Sequence, residues 1–345
     1  VAPRSRNQRL RRLLTDRRPD MAHRIYGLTF AAALTRLLRT QPFAVVQVEG
    51  IELAAAIPLI RKLQPDARII FDDHNAEAAL QERAFRTDVG EPRRWPAAAY
   101  SWLQTGRLQR FERWACRAAD RVVAVSEADR DSLRALLGDG GKPIAVIPNA
   151  IDVAAYQEPL TGDLPRFDVI FSGKMDYRPN VDAMLWFGRE IWPRILEARP
   201  ATTWAIVGQQ PHARLQPLRA LPGVTITGRV DEVRPYLAGA TVYVMPLRMG
   251  SGTRLKLIEA LAVGVPLVST RLGAEGFPVA GGRELLLAET PDTFARAVLR
   301  LLDNDELRTR LSAAGRHFAW QYDWHRVMPR FVELVRALEA EAAPR

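Results

Sequence analysis

Cysteine is nearly absent from this chain of 345 residues, which contains only Cys116. A single cysteine excludes an internal disulfide and a zinc site built from cysteine pairs. Cys116 falls in a helical pattern with Phe111, Trp114, Ala115 and Ala118, which indicates a small packing residue.

Long apolar runs are also lacking, because no stretch approaches the roughly 20 residues that span a bilayer. The polar, Arg-rich start has no apolar core of the kind that a signal peptide needs. Hydrophobic residues make up 48% and charged residues 26% of the chain, as in globular proteins. We therefore expect a cytoplasmic protein with two domains.

Lysine is scarce, and the positive charge is carried by arginine and concentrated at one end. The chain has a net charge of +10, and residues 1–40 alone hold ten Arg against Asp16 and Asp20. Such a block predicts contact with an anionic partner, for which a membrane surface is one candidate. An equal alternative is a set of solvated helix faces. Nucleic acid is not expected, since the block lacks interleaved aromatic residues and any reader motif.

Strand and helix patterns alternate along the chain in two series, separated by a Pro- and Gly-containing stretch over 157–165. Two tandem βα series predict two parallel-sheet, Rossmann-like domains with a cleft between them. The strands are predicted at 43–48, 68–72, 121–125, 144–147, 168–171, 203–207, 224–227, 241–246, 265–269 and 285–287.

The stretch over 250–266 carries the most chemistry. It opens on Gly250, Ser251, Gly252 and Thr253, between a predicted strand and a predicted helix. A Gly-rich turn that leads into a helix N-terminus is suited to bind an anion. Arg254 and Lys256 add positive charge, and the Glu259 carboxylate could accept hydrogen bonds from sugar hydroxyls. A phosphate attached to a ribose, as in a nucleotide, fits this pattern. Lys256 and Glu259 could instead pair with each other at i, i+3, in an order that the helix dipole disfavours.

Two further candidates follow predicted strands. Gly173 and Lys174 come after the first strand of the second series, where doubly wound folds bind ligands. The alternative is an ordinary turn with a surface lysine. His74 follows a strand of the first series within an acidic turn, where a binding role and a structural role are equally open.

Two other motifs have simpler interpretations. Asn149 ends the first domain and indicates a hinge turn. Asp303, Asn304 and Asp305 resemble a metal-binding pair of acids, but helix capping by Asp303 is favoured there. The sequence lacks a Ser-His-Asp order, a Walker A motif and a His-rich cluster. Gly-x-Gly-x-x-Gly follows none of the predicted strands, which argues against a dinucleotide dehydrogenase.

Together these segments resemble glycosyltransferase family 4, whose members have the GT-B fold, use nucleotide sugars and retain anomeric configuration. The resemblance covers nearly the whole chain. Its local variants resemble a bacterial subgroup associated with exopolysaccharide and exosortase-linked gene clusters. It rests on Asp-Asp-His-Asn-Ala-Glu at 72–77, Asp-Arg-Val-Val-Ala-Val-Ser-Glu at 120–127, Val-Ile-Pro-Asn-Ala-Ile-Asp at 146–152, the segment 173–180, Gly-Arg-Val at 228–230 and the block at 250–260.

The resemblance implies a role for each matching position. Glu259 would hold the ribose hydroxyls, Lys174 would bind the diphosphate, and His74 would approach the transferred sugar. These three residues form the implied catalytic set. No metal and no cofactor are implied. The implied substrate-binding set is Gly173, Arg178, Gly228, Arg229, Val230, Ser251, Gly252, Thr253, Arg254, Lys256 and Glu259.

The sequence departs from the family pattern in three places. The first acid of the family motif is replaced by Ser251. The second phosphate-binding cation would fall near Pro179 or Asn180, where Arg178 or Arg254 could replace it. The first clear strand begins only at Phe43, so one or two N-terminal βα units are expected to be missing.

The fold class expected is therefore α/β of the GT-B type, with two Rossmann-like domains facing each other across a cleft and the first domain incomplete. The expected division is an acceptor-side domain at 1–157, a nucleotide-sugar domain at 158–322 and a helix at 323–345 that packs on the first domain. The expected function is transfer of a sugar to a carbohydrate or lipid-linked acceptor, in the cytoplasm or peripherally on the membrane. A nucleotide-sugar epimerase and a non-catalytic nucleotide-sugar-binding protein are the alternatives.

Overall fold

The computed structural model describes residues 15–89, 95–139, 141–250 and 252–342. Every strand expected from the sequence forms, with ends that shift by one or two residues. The strands are β1 (Val45–Glu49), β2 (Arg68–Asp73), β3 (Arg121–Ala124), β4 (Ile144–Val146), β5 (Phe167–Ser172), β6 (Trp204–Val207), β7 (Val224–Gly228), β8 (Ala240–Met245), β9 (Leu267–Ser269) and β10 (Leu286–Leu287).

Helices alternate with the strands, as a βα series requires. The α-helices are α1 (Leu28–Thr40), α2 (Ile57–Leu63), α3 (Glu77–Val89), α4 (Trp95–Ala118), α5 (Glu127–Leu137), α6 (Val153–Gln157), α7 (Arg178–Trp186), α8 (Trp192–Ala198), α9 (Arg234–Ala238), α10 (Leu255–Val263), α11 (Pro291–Asp303), α12 (Asp305–Ala319) and α13 (Trp324–Ala342).

The chain divides into two compact units. Unit 1 comprises Val1–Pro148 with Met328–Arg345, and unit 2 comprises Asn149–Val327. The break follows Pro148, whereas the sequence placed it after residue 157. The start of α6 is joined to a later part of unit 2, because the Asp323 Oδ2 accepts a hydrogen bond from the Val153 N–H at 3.1 Å.

Unit 1 contains a four-stranded parallel sheet in the order β1-β2-β3-β4. One face packs against helices through buried residues such as Ile69, Phe71 and Val122. The other face receives α13, whose Leu338 packs with Ile70 and Val123. Successive strand residues therefore serve two separate cores, as the alternation of side chains along a strand requires.

Unit 2 contains a six-stranded parallel sheet in the order β10-β9-β8-β5-β6-β7. The chain builds from β5 through β7 on one side, and then crosses back to place β8, β9 and β10 on the other side. The reversal lies between β5 and β8, which pair directly. In open α/β sheets this switch point is where ligands bind, outside the carboxyl ends of the strands.

Three local features complete the description of the fold. Ser126 caps α5, because its side chain accepts a hydrogen bond from the Asp129 N–H. The prediction that Asp303 caps α12 is wrong: the cap is Asn304, whose side chain accepts from the Leu307 N–H. Asp303 instead ends α11 and pairs with Arg199. No helix in the described part of the chain is long and apolar enough to cross a membrane.

Candidate functional site

Two loops of unit 2 meet at the switch point of its sheet. One begins with Gly173, directly after β5, and the other, which includes Gly250, Gly252 and Thr253, runs from β8 to α10. Because β5 and β8 are adjacent and parallel, both loops leave from the same edge of the sheet. Ser251, in the second loop, lies outside the described residues.

Gly173 has a conformation that only glycine fits. Its φ is +151°, and a Cβ at this position would lie 2.6 Å from the Lys256 Nζ and 2.9 Å from the Asn180 Nδ2. Its N–H donates to the Val207 carbonyl of β6 at 3.0 Å. The absence of a side chain therefore allows the lysine to approach the turn closely.

Lys256 connects α10 to the loop after β5. Its Nζ donates to the Asn180 Oδ1 at 3.0 Å and lies 4.6 Å from the centre of the Phe171 ring. Asn180 in turn donates from Nδ2 to the Lys174 carbonyl at 2.9 Å. A chain of contacts thus fixes the loop that carries Gly173 and Lys174.

The same lysine has an altered acidity. Burial, reinforced by the positive charge of Arg254, lowers the pKa of Lys256 to about 7, while the Glu259 carboxylate acts in the opposite direction. An amine with a pKa near neutrality is readily protonated when an anion binds beside it, because the anion raises that pKa. The position therefore suits a diphosphate group that arrives with its own negative charge.

The N-terminus of α10 supplies further donors. Arg254 is its N-cap residue, and its guanidinium donates to the Gly252 carbonyl. Thr253 is held in place by a hydrogen bond from the Asn149 Nδ2 to its Oγ1 at 2.9 Å. The first N–H groups of any helix lack partners within the helix and carry partial positive charge. This turn can therefore bind an anion through backbone and side-chain groups together.

Glu259 lies in the second turn of α10, and its Oε1 accepts a hydrogen bond from the Tyr156 hydroxyl at 3.0 Å. Burial raises the pKa of Glu259, although the Tyr156 hydrogen bond and the Lys256 charge oppose that rise. The tyrosine fixes the carboxyl in one orientation. A carboxylate so placed can accept hydrogen bonds from vicinal hydroxyl groups.

The other predicted cations are at the surface. Lys174 has a side chain that is 55% exposed, with its Nζ 3.4 Å from Asp176. Arg178 begins α7 and is exposed, and Arg229 is exposed after β7. Lys256, by contrast, is partly buried.

Gly228 and Val230 lie at the carboxyl end of β7. Gly228 has a φ of +76° and accepts a hydrogen bond from the Gly208 N–H at 3.2 Å. A Cβ on Gly208 would lie only 1.7 Å from the Gly173 carbonyl oxygen, so the three strand ends are tightly joined. Val230 is partly buried and packs against the core of unit 2.

His74 belongs to unit 1 and directly follows β2. Its side chain is 48% exposed, and its Nε2 lies 3.9 Å from the Asp72 Oδ2. Asp72 also accepts a hydrogen bond from the Gln47 Nε2 at 2.9 Å. Burial raises the pKa of Asp72, while the nearby His74 acts against this rise. The catalytic role of His74 stays a prediction.

The sequence did not identify several residues that shape the site. Asn180 and Tyr156 each contact a predicted site residue across a long stretch of chain. Gly208 had no motif to indicate its role. Only the position of Asn180 within the segment 173–180 could have drawn attention to it. Across the described ranges, no group of three or more His, Cys, Asp or Glu residues is arranged to hold a metal ion.

Two family models match the chain and together cover most of it. The model described as "Glycosyltransferase Family 4" matches residues 2–155, and the one described as "Glycosyl transferases group 1" matches residues 166–304. They meet near the division between the two units.

A curated relative agrees with these matches. Glycogen synthase from Mycobacterium tuberculosis is 27% identical over 256 residues, which are 70% of this chain and 59% of the relative. The chain thus spans about three fifths of the length of the curated relatives it matches, here 59%, 57% and 60%.

Solved structures support the fold. Sucrose-phosphate synthase from Thermosynechococcus elongatus superposes with a TM-score of 0.71 at 18% identity, covering 90% of this chain and 78% of the other. HepE from Anabaena, in complex with UDP and glucose, gives a TM-score of 0.67 at 12% identity, with 91% and 84% covered. The chain belongs to glycosyltransferase family 4 and has the GT-B type of α/β fold with two Rossmann-like domains.

Proposed function

We propose that this chain transfers a sugar, with retention of configuration, from a nucleotide diphosphate sugar to a carbohydrate or lipid-linked acceptor during polysaccharide synthesis. The observation that carries the proposal is the contact of Lys256 with Gly173 and Asn180 at the switch point of unit 2. It places a cation with a near-neutral pKa under a glycine turn, next to a helix N-terminus and a carboxylate. Family membership supports the reaction class.

The donor would bind along the carboxyl edge of the sheet in unit 2. Its diphosphate would contact the turn before α10, with Lys256, Arg254 and Lys174 as cations. Glu259, oriented by Tyr156, would accept hydrogen bonds from the two ribose hydroxyls. The base would lie near Gly228, Arg229 and Val230. The UDP bound to HepE makes a uridine nucleotide the first candidate.

The chemical step needs stabilisation of the leaving group. The bond between C1 of the sugar and a diphosphate oxygen breaks, and C1 bonds to the acceptor oxygen on the same face. The acceptor's proton passes to the departing diphosphate. Negative charge grows on the diphosphate oxygens as this bond breaks, and fixed cations and helix N–H groups would stabilise it. We propose that these groups suffice without a metal ion.

The test is a donor and acceptor screen. The chain is incubated with UDP-, GDP- and ADP-sugars, with and without glycan or lipid-linked acceptors, and released nucleotide is measured. We expect release that depends on acceptor for at least one donor, with an α-linked product from an α-linked donor. Glu259→Ala and Lys174→Ala should lower turnover by about tenfold or more, and a variant within about twofold of wild type would remove that residue from the mechanism.

Two outcomes would instead support other functions. Interconversion of the donor sugar without acceptor would indicate an epimerase. Donor binding without turnover under every acceptor would indicate a nucleotide-sugar-binding protein.

A further inference from the structure

The long helix α4 exposes aromatic side chains that a surface in water would ordinarily bury. Trp95 is 63% exposed, Trp102 is 66% exposed and Trp114 is 37% exposed. Tyr100 and Leu103 are also exposed, at 43% and 36%. Large apolar side chains gathered on one element commonly mark an interaction surface.

The three tryptophans lie on one side of the helix. At roughly 100° per residue, Trp95, Trp102 and Trp114 fall within an arc of about 120°. The opposite side of α4 is buried and contains Leu108 at 1%, Phe111 at 8% and Ala115 at 0% exposure. The exposed side is therefore a second face of α4, separate from the face that packs against the rest of unit 1. We call it the tryptophan face.

Arginines share the tryptophan face. Arg110 and Arg117 are exposed on it, and Arg113 is half-buried between them. Arg113 and Arg117 donate to the Leu136 and Leu137 carbonyls at the end of α5, so neither of these two hydrogen bonds is to a carboxylate.

Acidic side chains are not part of this face. Of the α4 residues whose side chains are described, Glu112 alone is acidic, and it is 1% exposed. It points away from the face, because its Oε1 accepts hydrogen bonds from the Glu77 and Ala78 N–H groups. Among the described side chains of α4, this face therefore holds aromatic and basic groups and no acid.

We propose that the tryptophan face of α4 docks this protein on a membrane surface that contains anionic phospholipid. Tryptophan is favoured at the boundary between headgroups and acyl chains, since its ring is apolar and its N–H is polar. Arginine beside it contacts lipid phosphates, and a helix of this type lies in the plane of the interface. Between Trp95 and Arg117 the helix extends over about 33 Å, enough to present all these side chains at once.

The aromatic and basic side chains of the tryptophan face indicate which kind of partner binds it. A neutral protein partner would match the tryptophans and leave the arginines without an anion to contact, while a small soluble anion would match the arginines and leave the indole rings in water. An anionic bilayer surface matches both. The sequence alone placed membrane contact on residues 1–40, of which 1–14 lie outside the described residues. The proposal moves the main contact to α4 and does not depend on sugar transfer.

The test is co-sedimentation with vesicles of phosphatidylcholine, with and without phosphatidylglycerol. Wild type should bind the anionic vesicles and should bind neutral vesicles about tenfold more weakly. The double variant Trp95→Ala/Trp102→Ala should lose about tenfold in binding to anionic vesicles. Arg110→Gln/Arg117→Gln should lose a similar factor and most of its dependence on salt. Tryptophan fluorescence quenched by brominated lipid in wild type, and less so in the tryptophan variant, should show insertion directly.

Matched controls keep the test specific. Trp324, which is 51% exposed on α13, is the control position for the tryptophan variant. Arg296 and Arg300, which are exposed on α11, are the control positions for the arginine variant. Trp324→Ala and Arg296→Gln/Arg300→Gln should bind vesicles like wild type, and thermal unfolding confirms that all variants fold. The proposal is overturned if wild type ignores anionic vesicles, or if the control variants lose as much binding as the α4 variants. Two further results would overturn it. In the first, the tryptophan variant binds vesicles like wild type but is a monomer where wild type is a dimer. In the second, it binds vesicles like wild type but loses binding to a soluble anionic polysaccharide.

Discussion

The Nζ of Lys256 lies 3.0 Å from the Oδ1 of Asn180, so a residue of α10 holds a residue of α7 across the switch point. Asn180 passes this constraint to the Lys174 carbonyl. The order of the loop after β5 therefore depends on a side chain from another part of the chain.

Asn180→Ala should weaken donor binding about tenfold, because the loop loses its brace and Lys256 loses its amide acceptor. Lys256→Met should weaken it at least as much, since it also removes the charge. Titration calorimetry measures both effects. Lys62→Met, on α2 of unit 1, is the matched control and should bind like wild type. An Asn180→Ala variant with unchanged affinity would show that the contact is only structural.

Donor binding should take up a proton at mildly alkaline pH. The pKa of free Lys256 is about 7, and a bound diphosphate should raise it. Affinity should therefore be greatest below about pH 7 and should fall as pH rises from there towards the higher pKa of the complex. Calorimetry at about pH 8 in buffers of different ionisation enthalpy counts the protons. Lys256→Met should abolish the uptake, and equal heats in all buffers for wild type would exclude it.

Lys256 should also affect the free energy of unfolding, which should rise with pH where donor affinity falls. Its folded pKa lies below the ordinary value of 10.5, so between about pH 7 and 10.5 the unfolded chain binds more protons. The contribution of Lys256 to the free energy of unfolding therefore rises with pH across that window. Thermal unfolding of wild type and Lys256→Met at several pH values should show that difference.

Tyr156→Phe should lower donor affinity several-fold, because Glu259 loses a hydrogen bond of about 1 kcal/mol that orients it. Glu259→Gln should cost about tenfold or more, as it removes the charged acceptor for the ribose hydroxyls. Tyr236→Phe, elsewhere in unit 2, is the control for the tyrosine. If Glu259→Gln binds donor as tightly as wild type, the ribose does not contact this residue.

Gly208→Ala should strongly destabilise unit 2. Gly208 has a φ of +150°, and a Cβ there would meet the Gly173 carbonyl oxygen at 1.7 Å, which is backbone and has little room to move. The loss should be about 3 kcal/mol or more. Thermal and chemical unfolding measure it. Gly27→Ala is the control, because nothing lies within 4 Å of a Cβ at that position.

Asp73 should make unit 1 less stable as pH rises. Burial, with the nearby Glu112 and Glu77, raises the pKa of this fully buried carboxyl well above its usual range, and burial raises the pKa of Glu77 and of Glu112 to about 7. Between about pH 4 and pH 7 the folded state therefore holds more protons, and the free energy of unfolding falls as pH rises through that window.

Asp73→Asn should flatten this dependence and raise the melting temperature at about pH 8 relative to wild type. Melting curves at about pH 5 and about pH 8 provide the comparison. Asp131→Asn, whose side chain is 63% exposed, should leave the pH dependence intact. A pH profile of Asp73→Asn identical to that of wild type would remove Asp73 from this account.

Much of the fold could be predicted from the sequence because the strands are short apolar runs that alternate with helical patterns. Those runs pair in one parallel direction, and each forms a strand. The sequence does not indicate helix α3, since its Ala-, Glu- and Arg-rich sequence has only a weak apolar stripe, and the helix packs against α4. Capping by Asn304 was missed because adjacent Asp303 is an equally good capping residue by type.

The candidate site could be predicted only in part. Gly173, Lys256 and Glu259 stand in motifs that a single stretch of sequence displays. Their partners Asn180 and Tyr156 act through contacts that the topology creates: Asn180 stands in the motif at 173–180 without any sign of its contact with Lys256, and no local pattern indicates Tyr156. The burial that lowers the pKa of Lys256 likewise depends on the whole sheet, which a sequence pattern does not describe.

The central claim, that the switch point of unit 2 binds a nucleotide diphosphate sugar, is tested most directly by titration calorimetry with UDP-, GDP- and ADP-sugars. The account predicts one-to-one binding of at least one donor by wild type, weakened about tenfold or more in both Lys256→Met and Glu259→Gln. Binding of no donor by the folded wild-type chain, or binding that both variants retain in full, would contradict it.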